Sequence, residues 1–132
     1  MTTEIQQSIF LESDEHELDD LRSELMKECV DVKAISVVDP GDFGVVRMVT
    51  TDPLKTAQVL RRRRIPFLET RVVIVRLSEG ISAESASRAL ADKGVRPLYG
   101  YGGEVADDGD AIVVFRVSSP SRAEEALRAI AT

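Results

Sequence analysis

The sequence predicts an α+β fold of two tandem βαββαβ units, residues 1–70 and 71–132, each an antiparallel sheet with its helices on one face. Three observations lead there. Stretches rich in β-branched residues alternate with stretches whose apolar residues recur every three or four positions. The order strand, helix, strand, strand, helix occurs twice. The halves also match position by position: Leu25 with Leu90 and Val30 with Val95 lie 65 apart, whereas Asp52-Pro53 with Ser119-Pro120 and Leu60 with Leu127 lie 67 apart. Two extra residues in the second hairpin account for the change, and an internal duplication accounts for the rest.

In the first half, Ile5 to Leu11 reads as a strand, and Ser13 or Asp14 opens an acidic helix with Leu18, Leu21, Leu25 and Cys29 on one buried stripe. Val32 to Val38 and Phe43 to Thr50 read as a hairpin around the turn residues Asp39-Pro40-Gly41-Asp42. Asp52 can cap a helix running to about Arg63, because Pro53 at its first position has no N–H to lose. Pro66 returns the chain to extended structure.

Phe67 to Leu77 is long for one strand and reads as two short strands joined end to end, the last strand of the first unit and the first of the second. Ser82 to Lys93 forms a helix with Ala83, Ala86, Ala89 and Leu90 inward, stopped by Gly94. Val95 to Tyr101 and Ala111 to Val117 are strands around an Ala106-Asp107-Asp108-Gly109 turn, and Ser119-Pro120 opens a last helix carrying Ala123, Leu127 and Ile130. Thr132 follows that helix directly, so the second unit is expected to lack its last strand. Its exposed edge should then be covered by the other half or by a second copy, most simply in a twofold homodimer.

Composition narrows the function. The formal charge is −6, yet residues 1–31 hold ten acids and two bases, and the rest hold thirteen acids and fifteen bases. Nucleic-acid binding is not expected, since phosphate contacts need a concentrated basic face. No apolar run approaches the roughly 20 residues that span a bilayer, and the N-terminus lacks signal-peptide character, so a cytoplasmic protein without membrane contact is expected. One cysteine and one histidine exclude an internal disulfide and multi-His or multi-Cys metal sites, so no cofactor is expected. No nucleophile with a base and an orienting partner is visible, which argues against an enzyme.

The run Val32-Lys33-Ala34-Ile35-Ser36-Val37-Val38-Asp39-Pro40-Gly41-Asp42-Phe43-Gly44-Val45-Val46-Arg47 resembles the second strand, hairpin and third strand of tandem ACT-domain proteins. Thr51-Asp52-Pro53, Leu90-Ala91-Asp92-Lys93-Gly94-Val95, Leu98-Tyr99 and Phe115-Arg116-Val117 extend the resemblance over nearly the whole chain. It implies two ferredoxin-like, ACT-like units in a non-enzymatic regulatory protein. Such a protein would bind an amino acid or related small molecule at an ACT–ACT interface and signal to an enzyme or transcription regulator. The alternative is a ligand-free protein–protein interaction module that retains the fold.

In ACT modules a Pro-Gly turn after the first strand contacts the ligand. The matching pairs here are Glu15-His16 and Gly80-Ile81, so the glycine position holds His16 and Ile81. Asp14, Glu15, Glu17, Asp19 and Asp20 would repel a carboxylate at the first turn, whereas Gly80 keeps backbone freedom at the second. The candidate ligand-binding residues are therefore Ser78, Glu79, Gly80, Ile81, Tyr99 and Tyr101, with His16 as the first unit's counterpart.

Tyr99 and Tyr101, two apart on a strand, project to one face, where they line a ligand pocket or a subunit contact, or else mark a bulged or bending strand end beside the glycines. Arg61 to Arg64 form the one concentrated basic run; antiparallel packing of the first two helices would set it against the acidic start of the first. Cys29, on the apolar stripe, reads as a buried, unreactive thiol.

Overall fold

A computed structural model of the chain describes residues 2–12, 15–38, 43–77, 81–104 and 111–128. Among these residues the elements run β1 (Thr2–Glu12), α1 (Glu15–Lys27), β2 (Val32–Val38), β3 (Phe43–Thr50), α2 (Pro53–Arg62), β4 (Phe67–Arg76), α3 (Ala83–Asp92), β5 (Pro97–Glu104), β6 (Ala111–Val117) and α4 (Pro120–Arg128). The chain divides into two compact units, Ile5–Thr70 on one hand and residues 71–128 with residues 2–4 on the other. The division falls inside β4, which is a single strand, and inside β1.

In the Ile5–Thr70 unit β3 is central, pairing antiparallel with β1 (Ile9 opposite Val46) and with β2 (Ile35 opposite Met48). The N–H of Phe10 donates to the Pro66 carbonyl at 3.0 Å, which brings the approach to β4 against the other edge of β1. Strand alternation then decides the core. Ile9, Leu11, Val46 and Met48 point to one face, where they pack with Leu21 and Leu25 of α1 and Val59 and Leu60 of α2. Asp52 caps α2 as expected, its carboxylate accepting from the Lys55 N–H at 3.0 Å.

In the other unit β6 is central, with Val73 and Gly100 both opposite Phe115. Val73, Val75, Val113, Phe115 and Val117 pack with Ala86 and Leu90 of α3 and Ala123, Ala126 and Leu127 of α4. The Thr3 hydroxyl donates to the Glu124 carboxylate of α4, which ties the start of β1 to this unit. Both units carry the same irregularity: the register shifts between Val32 and Ala34 on β2 and between Pro97 and Tyr99 on β5, positions 65 apart.

Three helices end the same way. The N–H groups of Val30, Ile65 and Val95 donate to the carbonyls of Leu25, Leu60 and Leu90, each at 2.9 Å. Those of Cys29, Arg64 and Gly94 donate to Met26, Arg61 and Ala91. The residue that turns the chain has positive φ in each case: 60° at Cys29, 58° at Arg64 and 70° at Gly94. This is the Schellman closure, and its hydrophobic partners are present, since the three leucines are fully buried and the three β-branched residues nearly so.

The closure corrects three expectations. Cys29 is exposed, because the left-handed turn rotates it off the stripe and hands its buried place to Val30. Val95 belongs to the helix stop, so β5 begins at Pro97. Ala83 is exposed in the first turn of α3, where Ser82 as cap swings the chain outward; Ala86 and Leu90 carry the buried face.

The arginine run also meets different acids from those expected. Arg62 pairs with Glu28 at 3.1 Å and Arg63 with Glu24 at 2.9 Å, near the end of α1 instead of its acidic start. Arg61 lies over the Phe67 ring, 5.6 Å from its centroid. These are surface contacts of about 0–1 kcal/mol each, and they commit three of the four guanidinium groups to the unit's own fold.

A left-handed backbone costs a residue with a Cβ about 1–2 kcal/mol, part of which glycine's freedom in the unfolded chain gives back. Arg64→Gly is therefore expected to raise unfolding stability by about 0.5–1 kcal/mol and Gly94→Ala to lower it by about 1 kcal/mol in urea titrations. Equal stability of all three proteins would show that the closures are not strained.

Candidate functional site

The second-unit turn leads directly into α3. Ser82 caps the helix by accepting from the Ser85 N–H at 3.0 Å, and the Ser85 hydroxyl accepts from the Ser82 N–H at 2.9 Å. This reciprocal pair uses two of the N–H groups that a helix start offers to an anion. Ile81, half-buried, packs against the core under the helices. Ser78, Glu79 and Gly80 lie outside the described residues. In the first unit His16 is exposed in the first turn of α1.

Tyr99 and Tyr101 stand opposite Arg116 and Val114, and both are half-buried. Those partners alternate with Val113, Phe115 and Val117, which face the helices. The tyrosines therefore project from the face of the sheet turned away from the helices, whereas Ile81 packs on the helix side. Within this unit Ile81 and the two tyrosines therefore lie on opposite faces of the sheet.

Gly100, between the two tyrosines, faces the other way. It lies opposite Phe115 on the helix side, and a Cβ at Gly100 would meet the Phe115 ring at 3.1 and 3.2 Å and the Val114 carbonyl oxygen at 3.3 Å. Phe115 fills the space that the missing side chain leaves.

Sequence reasoning passed over the polar residues of the first unit. Gln7, on the helix side of β1, is fully buried; its Nε2 donates to the Pro53 carbonyl at 2.9 Å and to Glu69 at 3.0 Å, and its Oε1 has no partner among the described residues. Thr50 and Thr56, also buried, share a hydrogen bond at 2.9 Å. On the opposite face Arg47 stands in the central strand directly between Ser8 on β1 and Ser36 on β2. A charged residue inside Val45-Val46-Arg47-Met48-Val49 was the available signal.

Among the described residues no group of three or more His, Cys, Asp or Glu could hold a metal ion, and no helix is long and apolar enough to cross a membrane.

The family model described as an ACT domain pair matches residues 1–130. Among solved structures, protein BT0572 from Bacteroides thetaiotaomicron is 28% identical with a TM-score of 0.81, over 96% of this chain and 88% of that one. The regulatory subunit of aspartate kinase from Thermus thermophilus, in its ligand-free form, is 14% identical with a TM-score of 0.64, over 99% and 96%. The equivalent subunit from Thermus flavus is 16% identical with a TM-score of 0.61, over 98% and 90%. Among curated proteins no sequence match is found.

If Phe115 fills the space over Gly100, Gly100→Ala should lower stability by about 1–3 kcal/mol in chemical denaturation, because an overfilled core shifts side chains off their preferred rotamers. Gly102→Ala is the control: its Cβ would meet only the Ile112 carbonyl oxygen, at 3.9 Å, and should cost nothing. Equal losses at both positions would assign the effect to the strand and not to Phe115.

Proposed function

The chain belongs to the ACT domain pair family, and from that premise we propose that it is a non-enzymatic regulatory protein whose state is set by an amino acid or related small molecule. ACT domains are regulatory modules, and the family match over residues 1–130 is the observation that carries this reading. The fold likeness to subunits described as regulatory components of aspartate kinase supports a role beside an enzyme. A transcription regulator is the other class of partner this reading admits.

The finer architecture belongs to the same proposal. Each unit is a βαββαβ module, and residues 2–4 stand where the second module's last strand would lie, a placement supported by their grouping with that unit and by the Thr3–Glu124 bond.

The ligand is taken at the second-unit turn, Ser78-Glu79-Gly80-Ile81, with Tyr99 and Tyr101 completing the site. Within the unit that holds them, Ile81 and the tyrosines lie on opposite faces of one sheet, so a turn from one chain and tyrosines from another is the arrangement that uses both. That arrangement is a homodimer, and this reading takes it to be cytoplasmic. The mechanism is a population shift: the ligand binds one arrangement of the modules more tightly, and the partner reads that arrangement.

A second reading, a ligand-free interaction module, is favoured by one observation. The residues at the family's glycine position are a solvent-exposed histidine, His16, and a core-packed isoleucine, Ile81.

Thermal unfolding against the twenty amino acids separates the two. A ligand that binds only the folded state at a hundred times its Kd stabilises it by about 2.7 kcal/mol. A concentration-dependent rise in Tm that disappears in Gly80→Val is the expected outcome. No rise with any amino acid at millimolar concentration would rule out the sensor and leave the interaction module.

A further inference from the structure

Two exposed patches carry opposite charge. The first gathers where the end of α3 meets the start of α4. Arg122 donates from Nη2 to the Lys93 carbonyl at 2.8 Å, and the Ser118 N–H donates to the Arg96 carbonyl at 3.1 Å, so Lys93, Arg96 and Arg122 are held together. All three bases are exposed, and none forms an ion pair among the described residues. Asp92 precedes the patch, but residues 93–103 and 111–123 contain no acid. The second patch is the first two turns of α1. There Glu17 is half-buried and Asp19 and Asp20 are exposed, again without an ion pair among the described residues.

The fold requires neither patch. At the positions of Lys93, Arg96 and Arg122 the first unit has Glu28, Asp31 and Lys55, and Lys55 alone keeps the contact that the architecture uses, reaching the Glu28 carbonyl from Nζ at 3.5 Å. At the positions of Glu17, Asp19 and Asp20 the second unit has Ser82, Glu84 and Ser85, and Glu84 pairs with Arg88 of its own helix. The two halves of one duplication have diverged toward opposite charge at two places. With a net charge of −6, copies of this chain repel one another in most orientations. Opposed acidic and basic patches select an orientation in which they attract.

We propose that Lys93, Arg96 and Arg122 of one copy receive Glu17, Asp19 and Asp20 of a second copy. In a twofold pair each copy gives both patches, so the contact is made twice. The proposal rests on the homodimer put forward above, names surfaces through which it forms, and is independent of the ligand.

The experiment is sedimentation velocity on the protein at submillimolar concentration, in low and high salt. The wild type should dimerise, and the dimer should weaken as sodium chloride shortens the screening length from about 10 Å at 0.1 M to about 3 Å at 1 M. Lys93→Glu combined with Arg96→Glu should weaken self-association about tenfold or more, because like charges then face each other. Asp19→Arg combined with Asp20→Arg should do the same. Arg122 is left in place for its bond to the end of α3. Mixed in equal amounts, the two reversed chains should recover a salt-sensitive heterodimer, since one now offers acids at both patches and the other offers bases; misfolded chains could not recover it. A monomeric wild type would overturn the interface and the homodimer together. A dimer that both reversed chains still form at full strength, or a loss that mixing does not repair, would overturn these surfaces and leave the homodimer standing.

Discussion

Three buried leucines and the β-branched residues five positions after them hold this chain in register. Leu25 with Val30, Leu60 with Ile65 and Leu90 with Val95 each close a helix and start the return to the sheet. The closure satisfies carbonyls that a helix end would otherwise expose, and it sets the point from which the next segment leaves. Every strand after a helix inherits its register from that point. Replacing any of these leucines with alanine would open a cavity costing about 2–5 kcal/mol and loosen a strand register as well.

From register follows the division of each sheet into two faces with different work. The helix side is a conventional aliphatic core in residues 71–128, but in Ile5–Thr70 it contains Gln7, Thr50 and Thr56 where the second unit has Val73, Val117 and Ala123. Duplication supplied one framework, and the two copies then diverged in polarity beneath the same helices. Buried amide and hydroxyl groups are tolerated because Pro53, Glu69 and the threonine pair accept or share their hydrogen bonds, although Gln7 Oε1 shows that the match is incomplete. The other face holds Arg47 between two serines in one unit and the tyrosines with Arg116 in the other.

Much of the fold was legible before any coordinates. Proline at the first helical position of α2, the capping aspartate, the alternation in β3 and β6 and the 65- and 67-residue correspondences each act through neighbours in the chain, which is why they can be read along it. Cys29 shows where that reading ends. Its spacing put it on the apolar stripe, yet the same position, matched to Gly94, is the one that must turn left-handed, and a residue in that conformation leaves the helix surface. The arginine run shows a second limit. Opposite charges announce that pairs will form, but whether Arg62 and Arg63 meet the start or the end of α1 depends on how two helices cross.

The sequence by itself determined the element order, the duplication, the apolar set beneath the helices and the membership that the ACT domain pair model recognises, because each rests on local propensity or on short-period spacing. Tertiary structure decided which strands neighbour one another, that residues 2–4 group with the unit formed by residues 71–128, that Gly100 yields its space to Phe115, and that Ser8, Arg47 and Ser36 share a row. Those relations join residues tens of positions apart, and strand pairing is a choice among many registers of comparable local energy. Only the simultaneous burial of Ile9, Val46, Met48 and their counterparts under the helices selects one of them.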